Sequence, residues 1–127
     1  MLEGLVGVAH ATVNVALDGL ALQQQTIANN IANANTAGFV AQHIEFETAL
    51  RNAANSGGHA EDIKAELRAL QAGINAGDYI RDAGAPGVQL DLELAQMNST
   101  VLRYQALIQG LGISGDLVRM AITGEGR

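Results

Sequence analysis

Residues 27–39 read IANNIANANTAGF and end a long amphipathic segment. Ile27 and Ile31 are at helical spacing, yet asparagines lie among them, and each Asn costs a helix about 0.5 kcal/mol relative to Ala. Asn33 lies four positions after Asn29 and three after Asn30, which predicts a ridge of amides beside the isoleucines. Because an amide both donates and accepts hydrogen bonds, this ridge is a candidate adhesive surface.

The segment before this stretch repeats apolar positions in alternating steps of four and three. The repeat predicts a heptad helix over about residues 9–36, roughly 40 Å long. Gly4 and Gly7 weaken its first turn, and Gly38 is expected to end it in the left-handed conformation. The predicted seam is Val6, His10, Val13, Leu17, Leu20, Gln24, Ile27 and Ile31.

A second heptad segment occupies the last third of the chain and predicts a helix over residues 88–123. Two matched heptad helices at the two ends of one chain are expected to pair as an antiparallel coiled coil. The fold class is therefore all-α, in a single domain spanning residues 1–127. The second seam is Leu90, Leu94, Met97, Val101, Tyr104, Ile108 and Leu111.

The middle of the chain, residues 37–87, is expected to be irregular or partly extended, with one short helix. Residues 39–47 alternate partly between apolar and polar, which suits a short strand, although a helix starting near Phe46 fits almost as well. Ile63, Leu67, Leu70 and Ile74 are in helical register and predict a helix near 60–73. Residues 77–87 have the composition of a loop.

The composition excludes several classes of function. The net charge is −6 and the seven basic residues are scattered, which disfavours nucleic-acid binding and attachment to a membrane through a basic face. Aromatic residues make up only 3% of the chain, which favours thin helix-on-helix packing. No apolar run is judged long enough to span a bilayer, so no direct membrane insertion is expected. Glu3 stands where a secretory signal carries basic residues, so no cleaved signal peptide is expected.

No grouping of residues indicates catalysis, so the chain is not expected to be an enzyme. Cysteine is absent, which excludes thiolate metal sites. His10, His43 and His59 are too scattered to form a ligand set, and no nucleophile lies near a base in the sequence. No catalytic, cofactor-binding or metal-binding residues are therefore predicted.

Two paired helices would leave apolar and Asn-rich surfaces uncovered, and such surfaces are stable only against further copies or partners. The residues thus predict an assembly protein built on its terminal helices. An alternative is a cytoplasmic coiled-coil adaptor whose heptads recruit one partner.

Both ends of the chain resemble a known family. Residues 28–39, ANNIANANTAGF, are similar to the A-N-N-I-A-N-x-x-T-P-G-Y/F signature of flagellar basal-body rod proteins. Residues 90–97, LDLELAQM, and 102–107, LRYQAL, are similar to the C-terminal helix of its proximal-rod branch. Ala37 occupies the position of the signature proline, so the turn after the helix is less rigid here.

The resemblance implies a structural subunit of the bacterial flagellum that transmits motor torque. It implies export through the flagellar type III apparatus without a cleaved signal peptide, and polymerisation in the periplasmic rod. The implied partners are further copies, other rod proteins, and the ring and adaptor proteins of the basal body. An axial protein of a different rod branch is an alternative. The candidate motif and interface residues are Asn29, Asn30, Ile31, Asn33, Thr36, Gly38, Phe39, Leu94, Met97, Val101, Tyr104 and Ile108.

Overall fold

The computed structural model of the chain describes residues 2–123, with side chains from residue 3 to residue 112. Residue 1 and residues 124–127 of the predicted domain lie outside the described residues. The described part is mostly helical, with one small antiparallel sheet, so the predicted α class is confirmed apart from that sheet. The elements are α1 (Leu2–Ala32), β1 (Gln42–Ile44), α2 (Glu47–Ala54), α3 (Ala60–Ala76), β2 (Ile80–Asp82) and α4 (Leu90–Thr123).

Helix α1 is the central element of the fold. It contacts α2, α3 and β1 as well as α4, and at about 1.5 Å per residue it is about 46 Å long. It begins at Leu2, well before the predicted start, because packing overrides the low helix propensity of its early glycines. Gly4 lies against Ala60 of α3 and Gly7 lies against Lys64.

The same helix also meets the length and composition of a membrane span. Glu3–Ala32 has a mean hydropathy of 1.5 over its most apolar window, of which 22% is buried in the fold. The prediction that no segment is long enough was therefore wrong. Scattered Ala, Val and Leu residues keep the average hydropathy high although polar residues interrupt the apolar run. In the folded chain, however, Val15, Leu20 and Ile27 of this helix are buried.

Helices α1 and α4 pack against each other in antiparallel directions. Asn30, near the end of α1, contacts Glu93 at the start of α4, whereas Val13 lies across a crevice from Leu107 and Leu111. The predicted pairing of the terminal helices is thus present as an antiparallel contact. Its knobs-into-holes geometry stays a prediction.

The core lies on the side of α1 that faces α2, α3 and β1. Phe46, at 1% exposure, is the largest of its fully buried side chains, and its ring lies against Gly19 of α1. A Cβ atom at Gly19 would be 2.5 Å from that ring, so only glycine lets the two segments approach this closely. The other core residues are Val15, Leu20, Ile44, Ala53, Leu67, Leu70 and Ile74.

The predicted middle helix is α3, and its apolar register is confirmed. Leu67, Leu70 and Ile74 are buried in the core, and Ile63 packs against them. The helix runs to Ala76 rather than to residue 73, and Gly77 ends it with a φ of +83°. At its start, the carboxylate of Asp62 accepts a hydrogen bond from the backbone N–H of His59 at 3.3 Å.

The two strands correct the prediction for the middle segment. Gln42, His43 and Ile44 of β1 pair with Asp82, Arg81 and Ile80 of β2, so a strand lies where a loop was expected. Three residues are too few to show a pattern, and this strand exists because β1 offers backbone partners. The helix considered near Phe46 also forms, as α2.

Candidate assembly surface

The Asn-rich stretch lies where α1 ends and the chain turns back toward β1. Helix α1 stops at Ala32 rather than near residue 36, and turns follow to Gly38. Gly38 has a φ of +76°, in the left-handed region that favours glycine, as predicted. The backbone N–H of Phe39 donates to the carbonyl of Thr36 at 3.2 Å, which closes the turn.

Asn30 is not part of a surface ridge, because its side chain is only 1% exposed. Its Nδ2 donates to the carbonyl of Gln42 at 2.7 Å and to Oε2 of Glu93 at 3.1 Å. Its Oδ1 accepts from the backbone N–H of Gln42 at 3.0 Å. We call this arrangement the Asn30 bracket: one side chain joins the end of α1, the start of β1 and the first turn of α4.

Glu93 is the residue of the bracket that the sequence did not indicate. It is 8% exposed and lies in the first turn of α4, where the helix dipole favours a carboxylate. The sequence shows an acidic residue at a favourable helix position. It gives no sign that Asn30, 63 positions away, donates to it.

The amides left on the surface form a chain of local hydrogen bonds. Asn33 Nδ2 donates to the carbonyl of Asn29 at 2.9 Å, and Thr36 Oγ1 donates to Asn33 Oδ1 at 3.1 Å. These contacts help to satisfy the end of α1. Asn29 and Thr36 are exposed, and Asn33, Ile31 and Phe39 are half-buried. The remaining ridge is accessible at its edges, and its use as an interface stays a proposal.

The predicted seam of α4 is rotated away from α1. The face that is turned inward carries Glu93, Met97, Thr100, Tyr104 and Leu107, spaced by four and three. Of the predicted seam, Met97, Tyr104 and Leu111 lie on this face and are half-buried. Tyr104 and Leu107 also pack against the core.

The rest of the seam forms an open apolar surface, which we call the α4 stripe: Leu90, Leu94, Val101 and Ile108. Leu90, Leu94 and Ile108 are 46%, 49% and 47% exposed, and Val101 is half-buried. The predicted seam therefore faces α1 only at Met97, Tyr104 and Leu111. A heptad stripe is wider than the contact with one neighbour, and Glu93 and Thr100 occupy the positions that α1 buries.

An apolar groove of about 570 Å³ lies on the other flank of α4. We call it the α1–α2–α4 groove. Its floor is formed by Leu20 and Phe46, both nearly fully buried. Charged side chains stand at its edge, where Arg103 Nη1 donates to Glu47 Oε1 at 2.6 Å. The lining residues are Thr12, Ala16, Leu20, Phe46, Glu47, Leu50, Arg51, Ala54, Asn55, Arg103, Ala106 and Leu107.

A larger, polar cavity of about 850 Å³ lies between the small sheet, α2 and α4. Its charged groups pair with one another: Glu45 is 3.1 Å from His43 and 3.8 Å from Arg81. Gln23 contributes a buried Oε1 atom that has no hydrogen-bond partner among the residues whose side chains are described. Within the described residues, no three His, Cys, Asp or Glu side chains are grouped so that they could hold a metal ion.

Comparison with known proteins bears on the motif directly. The model of the family described as "Flagella basal body rod protein" matches residues 14–39. The chain is also 24% identical over 117 residues to the flagellar basal body rod protein FlgB of Bacillus subtilis (strain 168). That alignment covers 86% of this chain and 88% of FlgB.

This chain is similar to flagellar basal body rod proteins. The resemblance inferred from residues 28–39 is confirmed, including its likeness to FlgB. The stretch that matches the rod family contains Asn30, the central residue of the bracket, and the turn at Gly38. In this structure, Asn30 of the rod-family motif therefore connects α1 to β1 and α4.

Proposed function

We propose that this protein is a structural subunit of the bacterial flagellar rod, in its proximal part, and that it polymerises through its terminal helices and helps to transmit motor torque. The observation that carries the proposal is the match of residues 14–39 to the rod family, in the segment that holds α1 and α4 together. Similarity to FlgB over most of both chains supports the proximal position.

The shape of the molecule suits a load-bearing subunit. Helices α1 and α4, with 31 and 34 residues, are each about 45–50 Å long, and they pack against each other in antiparallel directions. The Asn30 bracket joins the C-terminal end of α1 to the N-terminal end of α4, with hydrogen bonds to the backbone of Gln42 and to the buried carboxylate of Glu93. The α4 stripe supplies apolar area that a neighbouring subunit would cover.

The partners that follow from this proposal are further copies, other rod proteins and the ring or adaptor proteins of the basal body. The proposed location is the periplasmic rod, reached through the flagellar export apparatus without a cleaved signal peptide. Helix α1 would then serve as a packed helix and not as a membrane span, because Val15, Leu20 and Ile27 are buried against the protein. No enzymatic step is part of the proposal.

The experiment that tests this function is the purification of basal bodies from cells that express the tagged chain. We expect the chain in the rod fraction, and Asn33→Leu is expected to be exported but to impair rod assembly and swimming. Asn14→Leu, an exposed asparagine on the same helix, is the matched control and should swim normally. A chain that stays in the cytoplasm of cells with a working export apparatus would instead favour the adaptor.

Normal swimming of the Asn33→Leu variant would argue only against the surface amides as an interface, not against the rod function. It would show that the surface amides of the motif serve only to end α1. The rod location would then be judged by the basal-body fraction.

A further inference from the structure

We propose that the α4 stripe of one copy packs into the α1–α2–α4 groove of a second copy, so that one type of contact repeats along the assembly. This inference rests on the proposed rod function and specifies its subunit contact.

The stripe is an apolar surface that the chain itself leaves uncovered. Leu90, Leu94 and Ile108 are each close to half exposed, although they belong to a regular heptad pattern. Among the described elements, α4 packs mainly on α1, with an ion pair from Arg103 to Glu47 of α2, and α1 covers the neighbouring face around Met97 and Tyr104. A heptad edge of this kind is typical of a helix that packs on one more partner.

The groove has the complementary form. Ala16, Ala54 and Ala106 contribute short side chains to its walls, above a floor of Leu20 and Phe46. Short side chains beside a buried aromatic floor leave room for protruding leucines. The volume of about 570 Å³ is open to solvent and lined mainly by apolar groups, so its closure by an apolar helix edge is favourable.

The two surfaces lie on different flanks of the same helix. Each residue of an α-helix advances about 100°, so Val101 of the stripe and Arg103 of the groove point in nearly opposite directions. Because the stripe and the groove face in opposite directions, a two-fold symmetric dimer could not bury both surfaces of each copy. The contact is therefore heterologous and leaves a free stripe and a free groove for the next copies, as an open filament requires.

The charges around the two surfaces also match. The groove edge carries Arg51 and Arg103 against one carboxylate, Glu47. From residue 90 to residue 102, α4 carries no Lys or Arg, and its exposed acidic residue is Asp91, since Glu93 is buried in the Asn30 bracket. The complementary local charges favour the contact, although the net charge of −6 on each chain opposes association in general.

The absence of cysteine from the chain permits a direct test. Leu94→Cys marks the stripe and Leu50→Cys marks the groove; the doubly substituted full-length chain is treated in purified basal bodies with a short bis-maleimide. We expect a ladder of cross-linked dimers, trimers and longer products. Each single variant should remain uncross-linked, because stripe does not meet stripe and groove does not meet groove.

A matched control uses Leu102→Cys together with Leu50→Cys. Leu102 is on the same helix and is more exposed, at 65%, but it lies outside the stripe, so no ladder is expected. Cross-linking of Leu94→Cys alone, an equal ladder in the control, or products with a different protein would overturn the proposal. So would the absence of any ladder from chains present in the basal bodies, an outcome that leaves the rod function intact.

Discussion

Helices α1 and α4 are similar in length and in heptad pattern, but their surroundings differ. Helix α1 is packed on one side by α2, α3 and β1 and on another by α4. Among the described elements, α4 packs mainly on α1 and reaches α2 through the exposed Arg103–Glu47 ion pair. The buried core residues Val15 and Leu20 belong to α1, while α4 leaves Leu90, Leu94 and Ile108 exposed. The comparison teaches that the chain covers more of the apolar surface of α1 than of α4, and the proposed contact between copies uses the helix that is left more open.

The largest effect should come from emptying the core beneath α1. Phe46→Ala removes the largest of the fully buried side chains and should lower the free energy of unfolding by about 3–5 kcal/mol. Ile108→Ala, on the α4 stripe, should change it by only about 0.5 kcal/mol in the isolated chain. Urea unfolding followed by circular dichroism measures both. Equal losses at the two positions would contradict the contrast between the helices.

A smaller effect is expected at the point where the two helices are joined. Asn30→Ala leaves the buried carboxylate of Glu93 and the backbone groups of Gln42 without their amide partner, and should cost about 1–3 kcal/mol in unfolding free energy. Asn14→Ala, at an exposed position of the same helix, should stay within about 0.5 kcal/mol of the unsubstituted chain.

A double-mutant cycle sharpens this prediction. Asn30→Ala, Glu93→Ala and the doubly substituted chain together give the coupling energy between the two side chains. Additive effects would mean that the bracket does not hold α4 to α1.

The smallest effect is expected for the ion pair that links α4 to α2. Arg103 and Glu47 have side chains that are 55% and 46% exposed, so solvent screens their attraction. Arg103→Ala should therefore cost about 0–1 kcal/mol, and the difference should shrink further in 1 M salt. A loss well above this range that persists in salt would show that α4 depends on more than α1 and the Asn30 bracket.

Several features were predictable because they depend on neighbours in the sequence. The register of Leu67, Leu70 and Ile74 predicted the buried face of α3. The left-handed Gly38 followed from its position beyond the helix. The family signature was recognisable in residues 28–39, since it is a contiguous run of residues.

Other features could not be predicted, because they depend on contacts between distant residues. The buried role of Asn30 requires Glu93, and the strand β2 requires β1. The groove arises only where α1, α2 and α4 converge. Periodicity predicted the apolar pattern of α4 but not which side of the helix faces α1. The structure shows that the side with Glu93 and Tyr104 does.

By itself, the sequence determined two long terminal helices, a short middle helix and a rod-family motif, because helical periodicity and short signatures are local properties of the chain. Only the tertiary structure decided which side of each helix is covered. Covering a face requires partners that are far away in the sequence, and the chain supplies more of them to α1 than to α4.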